Sequence, residues 1–146
     1  MIEPNEFEKS IFSFMQSIKN VSKCQYRKVV CVLATKRRLI IFGINNVLEC
    51  NKECFDKENR ICKVIHAEIE ALDKLQKSKY KANKNIIAYL NHYPCTACQK
   101  LLRNNKIKVV KIFSQHVINN LTYYRVKYDK YIPIQIFNME ELNERR

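Results

Sequence analysis

The chain has 146 residues, of which 47% are hydrophobic and 28% charged, with a single glycine. That balance is enough for one folded domain whose core lies between two or three layers, and it excludes a fibrous or disordered chain. The net charge of +13, from 27 Lys and Arg against 14 Asp and Glu, biases the chain toward anionic partners such as nucleotides or nucleic acid without choosing between them.

The segment from Met1 to Asn20 lacks the basic start and apolar middle of a signal peptide. No apolar run approaches the roughly 18 residues of a membrane span. A cytoplasmic location away from membranes, with residues 1–146 as one domain, is the expectation. Phe7, Ile11, Phe12, Phe14, Met15 and Ile18 recur at helical spacing, so Asn5 to Ile18 reads as an amphipathic helix whose aromatics are core. Val29 to Leu33 and Leu39 to Phe42 read as strands, joined by the basic turn Thr35 to Arg38 as an antiparallel hairpin. From Ile44 to Val64 the chain is polar, rich in cysteine and without periodicity, a long loop of the kind that is functional or cross-linked.

Ile65 to Leu75 reads as a helix, Ile86 to Leu90 as a buried strand, Cys95 to Leu102 as a helix entered through Pro94, and Val109 to Phe113 as another strand. Strand, helix, strand implies parallel pairing. Gln115 to Tyr124 is expected as a further helix, Ile132 to Phe137 as a fifth strand and Met139 to Arg146 as a short charged helix. Charge is uneven along this order: Met1 to Asp73 carries 12 positive and 10 negative groups, whereas Lys74 to Lys127 carries 12 positive and none negative. Such a stretch is either a solvated face or a rim that attracts phosphate.

Seven cysteines in a chain of this kind are better explained by thiolate metal ligation than by a disulfide framework. His66-Ala67-Glu68 opens one predicted helix and Pro94-Cys95-Thr96-Ala97-Cys98 opens the next, each at the same expected edge of the sheet. An imidazole from His66 and sulfurs from Cys95 and Cys98 make three zinc ligands, leaving one position open for water, which is the catalytic pattern. Helix starts favour thiolates. Glu68, two residues beyond His66, points to another side and suits a proton shuttle. The alternative is a lone histidine beside an incidental C-x-x-C.

The paired H-x-E and P-C-x-x-C motifs are the signature of zinc-dependent nucleobase deaminases, and the chain most resembles the deoxycytidylate (dCMP) deaminases. The resemblance runs from about Ser22 to Phe113: Cys24 before the first strand, Gly43-Ile44-Asn45, cysteines in the following loop, His66-Ala67-Glu68 and Tyr93-Pro94-Cys95. It implies an α/β fold of three α-β-α layers with a five-stranded mixed sheet, catalytic Zn2+ on His66, Cys95 and Cys98, and Glu68 as general acid and base. It also implies a homo-oligomer and a pyrimidine nucleotide substrate, dCMP converted to dUMP toward thymidylate synthesis.

Asn45 matches a family Asn that bonds a sugar hydroxyl, or it is a turn residue capping its own backbone. Ala67 and Tyr93 fall at the expected base pocket, where Tyr93 and neighbouring His92 either flank the base or pack. Lys74 and Lys77 resemble the position of a phosphate-facing Arg in some relatives, or they are solvated helix lysines. Cys24, Cys50, Cys54 and Cys62 suit a second, structural zinc, as several dCMP deaminases carry here; otherwise they are free thiols, as Cys31 is. The chain departs from the family at Glu70, where Asn is usual, and at Val29-Val30-Cys31, where the family usually carries Val-Gly-Ala and keeps the backbone open. Nothing transfers to Ser114 to Arg146.

Two other functions fit the same motifs. One is a deaminase acting on cytosine or adenine in single-stranded DNA or RNA, with the lysines tracking a backbone. The other is a zinc-stabilised nucleotide-binding module without turnover, in which Glu68 has no use.

Overall fold

The computed structural model describes residues 3–24, 28–46, 55–56, 61–62, 65–114, 124–128 and 131–139. The first helix, α1 (Glu6–Ile18), starts at a capping box. The Asn5 side chain accepts from the Glu8 N–H at 2.8 Å, and Glu8 Oε1 accepts from the Asn5 N–H at 3.1 Å. Ile11 and Met15 are the buried centre of this helix, while Phe7, Phe12, Phe14 and Ile18 are partly buried and pack around them. The aromatics expected as core therefore form the rim of the contact.

The strands are β1 (Val30–Ala34), β2 (Leu39–Ile44), β3 (Phe55–Asp56), β4 (Ile61–Cys62), β5 (Ile87–Leu90), β6 (Val109–Ser114), β7 (Tyr124–Tyr128) and β8 (Pro133–Asn138). Six form one mixed sheet in the order β2-β1-β5-β6-β8-β7. The five expected strands are all in it. β2, β1 and β5 pair antiparallel, and β5, β6 and β8 pair parallel. A sixth strand, β7, adds antiparallel to β8, so Tyr124 begins a strand where a helix end is expected. The alternation of Tyr124, Val126 and Tyr128 with Arg125 and Lys127 is the period-two signal for it. The rest of the helix expected over 115–124, and the one beyond Met139, lie outside the described residues. Inside the segment expected as loop, β3 and β4 form a separate two-stranded ribbon with Phe55 opposite Cys62.

Alternation along the strands separates two apolar faces. Cys31, Leu33, Ala88, Leu90, Val110 and Ile112 face α2 (Ala67–Gln76) and α3 (Thr96–Asn104), whereas Val30, Val32, Ile87, Tyr89 and Phe113 face α1. Three layers result. Glu8 ties α1 to the second face: its buried Oε2 accepts from Tyr89 Oη at 2.9 Å and from Lys111 Nζ at 2.7 Å. Removing one partner of a buried pair of this kind costs about 3–5 kcal/mol.

On the other face α2 lies unusually close to β2. A Cβ built on Gly43 would stand 2.4 Å from the Ala67 carbonyl oxygen and 2.6 Å from the Ala71 nitrogen. Both are backbone atoms that cannot turn aside, so the chain's single glycine is where a helix touches a strand. Ala67 and Ala71 keep the facing helix surface small. Gly43→Ala should therefore lift α2 at a cost of about 1–3 kcal/mol. The expected readout is a melting temperature lowered by about 2–4 °C per kcal/mol, accompanied by weaker metal retention; an unchanged melting temperature would refute the close contact.

Candidate metal centre

Helices α2 and α3 both begin at the sheet edge where β5 ends, and the residues that cap them carry the chemistry. His66 is the N-cap of α2, with extended backbone at φ −66° and ψ 144°. Cys95 is the N-cap of α3, its sulfur accepting from the Cys98 N–H at 3.4 Å. Cys98 follows one turn later and is buried. His66 Nδ1 lies 3.4 Å from Cys98 Sγ and 4.0 Å from Cys95 Sγ, and the three donor atoms all lie within 4.8 Å of one another. Tetrahedral zinc at its usual bond lengths separates such ligands by roughly 3.5–3.8 Å. The donor set fits zinc, with Nδ1 as the imidazole ligand.

Charge in this cluster is set by burial and shared hydrogen bonds. The Cys98 side chain and then His66 hold the Cys95 sulfur down at about 4, while the bond shared with Cys95 and burial push Cys98 up. Cys95 is the readier thiolate, aided by its place at a helix N-terminus. Glu68, in the first turn of α2, is only 4% exposed. Burial pushes its carboxyl up from the ordinary value, outweighing hydrogen bonds from its own backbone and from Cys98. A buried carboxyl raised in this way exchanges protons nearer neutrality.

Cys31 lies beneath α2, fully buried, its thiol pushed well up first by burial and then by the Glu68 charge. It pairs in register with Gly43. Glu70, the other departure, pairs with Lys74 at 3.0 Å on the outer side of α2.

Asn45 follows β2 at the same edge and is buried, its Oδ1 accepting from Ser22 Oγ at 2.6 Å and from the Val29 N–H at 2.9 Å. It thus fastens the loop before β1. Ala67 is buried against β2; Tyr93 is 37% exposed beside Pro94, and His92 is half-buried. Lys77 is not brought to the group. It is the C-cap of the helix whose N-cap is His66, about 16 Å away at 1.5 Å per residue, and it pairs with Asp73 at 3.0 Å. Lys74 donates to the Phe42 carbonyl. Of the four cysteines suited to a second zinc, Cys24 is buried and the Cys62 backbone lies in β4, while Cys50 and Cys54 lie outside the described residues.

Two supporting residues were not anticipated. Asn91 accepts from the Val30 N–H and donates to the Lys28 carbonyl, both at 2.8 Å, clasping the start of β1 to the end of β5. Gln99 donates from Nε2 to the Pro94 carbonyl at 3.0 Å, fixing the chain just ahead of Cys95. A glutamine on the buried face of α3, beside Cys98 and Leu102, was the available signal.

The fold and this donor set define a zinc-dependent hydrolytic deaminase. The chain belongs to the family described as the cytidine and deoxycytidylate deaminase zinc-binding region, which matches residues 6–114. The dCMP deaminase of the cyanophage S-TIM5, solved with dCMP and dUMP, is 22% identical with a TM-score of 0.62, covering 78% of this chain and 85% of its own. Its apo form gives 23% identity and the same TM-score over 77% and 86%. At that identity the likeness shows the fold. No curated protein matches the chain in sequence.

Cys98→Ala should lower the zinc content of the purified protein by about one ion per chain while the far-ultraviolet circular dichroism is retained. Elemental analysis after dialysis against a chelator checks this, and undiminished zinc would remove Cys98 from the donor set.

Proposed function

We propose that the protein hydrolyses the exocyclic amino group of a cytosine nucleotide, dCMP to dUMP and ammonia, with His66, Cys95 and Cys98 holding zinc and Glu68 moving the proton. The observation that carries this reading is the buried carboxyl of Glu68 in the first turn of the helix capped by the imidazole ligand. A purely structural ion has no use for it. When bound, zinc supplies the Lewis acidity that makes water a nucleophile near neutral pH. Glu68 would take one proton from the water and deliver it to ring N3, then take the proton remaining on the hydroxyl added at C4 and deliver it to the amino group, which leaves as ammonia while the C4 carbonyl forms. Its raised proton affinity suits both transfers. On this reading Asn45 meets a sugar hydroxyl and Tyr93 flanks the base, with Ala67 packed on β2 behind them. Lys77 has no part in this site.

The cyanophage enzyme of the same fold is a dCMP deaminase bound to dCMP and dUMP, which supports a mononucleotide substrate. So does the position of the lysines. Among the described residues, the cations of the stretch after Asp73 gather mainly at the end of the sheet away from the metal donors, where they cannot lead a polynucleotide into the pocket.

Glu68→Gln should keep zinc and fold but lower kcat by about 10³-fold or more, in line with loss of an essential acid and base. Ammonia release measured over dCMP, CMP, deoxycytidine, dCTP and a single-stranded oligonucleotide should be fastest with dCMP; retained activity in the variant would show that another group moves the proton.

We further propose a second, structural zinc on Cys24, Cys50, Cys54 and Cys62. Four thiolates close a tetrahedron, and the ion would offset the entropy of ordering the long connection between β2 and α2. Purified protein should hold two zinc ions per chain. A count of one would overturn the four-cysteine site.

A further inference from the structure

We propose that the end of the sheet opposite the metal centre binds the phosphate backbone of a nucleic acid without reading its bases. Three connections meet there. The turn between β1 and β2 closes with Thr35 N–H donating to the Arg38 carbonyl, and Ala34 stands opposite Ile87 at the start of β5. The connection from α2 to β5 and that from α3 to β6 arrive at the same edge, where the Lys108 N–H donates to the Ile86 carbonyl at 2.9 Å. Gln76 Nε2 donates to Asn105 Oδ1 between the two helix ends. Arg38 and Lys79 lie 5.5 and 5.2 Å from the centre of the Tyr80 ring, which joins the turn to the second connection.

Each connection is basic. Lys36, Arg37 and Arg38 come from the first, Lys79, Lys81 and Lys84 from the second, and Lys106 and Lys108 from the third, all of them exposed. Among the described residues, the ion pair at this end is that of Lys77 with Asp73, and none of these eight cations is in one. An ordinary solvated face intersperses both signs, because like charges repel. Here the repulsion is accepted, and at one position the backbone is strained as well. Lys106 takes φ 64°, just past the end of α3, where glycine is the residue of least cost. A lysine kept in that place argues for its charge.

The cations are exposed and spread over the mouths of adjacent strands. From β2 to β6, the strands whose connections carry them, this is three strand spacings, about 14 Å, longer than one nucleotide and suited to a run of two or three phosphates. Among the residues whose side chains are described, Tyr80 and Tyr131 at this end already carry cations, Tyr131 lying 5.0 Å from Lys100 Nζ and 5.5 Å from Arg103. They are engaged rather than offered for base stacking, so recognition rests on charge and tolerates any sequence. Leu39, 37% exposed, gives too little apolar surface for insertion into a lipid interface. The surface stands apart from the deaminase reading and does not depend on it.

The test is fluorescence anisotropy of a labelled 20-nucleotide oligo-dT on the intact protein at several salt concentrations. Binding should weaken steeply with salt, and an unrelated 20-mer should bind within about threefold. Replacing Lys79, Lys81 and Lys84 together by Glu should weaken binding at least tenfold and reduce the slope of log K on log salt by about 2, at about 0.7 per lost phosphate contact. Replacing Lys19 and Lys23, elsewhere on the surface, should change it little, and turnover of free nucleotide should be unchanged in both variants. The proposal is overturned if the triple variant binds like the parent, if the control variant loses as much, if dCMP displaces the oligonucleotide, or if phosphatidylserine vesicles bind and the oligonucleotide does not.

Discussion

The contact between the backbone of α2 and that of β2 at Gly43 sets the position of everything at the metal centre. A helix normally rests on a sheet through interdigitated side chains. Here the Ala67 carbonyl and the Ala71 amide reach the strand itself, which sinks the first turn of α2 and with it Glu68 below the protein surface. Burial of Glu68, the source of its raised proton affinity, follows from this contact.

The sheet has two chemically different ends. At one, two helix N-termini bring partial positive charge to a histidine and two sulfurs, which favours thiolate. At the other, the helices finish and the cations are side chains on exposed turns. Parallel β5 and β6 with α3 between them enforce this separation, since the crossover returns the chain to the far edge each time.

Much of this was legible in the residues. His66, Glu68, Cys95 and Cys98 could be placed because caps and short-range spacing determine where helix starts point, and α3 and β6 emerge within a few residues of their expected bounds. What escaped depends on contacts between distant segments. Lys77 lies in a plausible stretch of sequence, but the length of α2 carries it to the wrong end. Glu8 looks like a capping residue and is also a buried partner of Tyr89 and Lys111. The second strand is expected to end at Phe42, whereas β2 continues through Gly43 to Ile44; no local pattern announces the helix packed against that glycine. The strand β7 was hidden by reading its first tyrosine as the tail of a helix.

The pairing of Glu8 with Lys111 spans 103 positions. On the ribosome α1 is made long before β6, so the Glu8 carboxylate has no ammonium to meet until most of the chain has emerged, although β1 and β2, which bring Val30, Val32 and Phe42 to the same face, follow soon after the helix. Closure of the buried pair is therefore a late event of assembly, and loss of β6 by truncation would leave Glu8 without its ammonium.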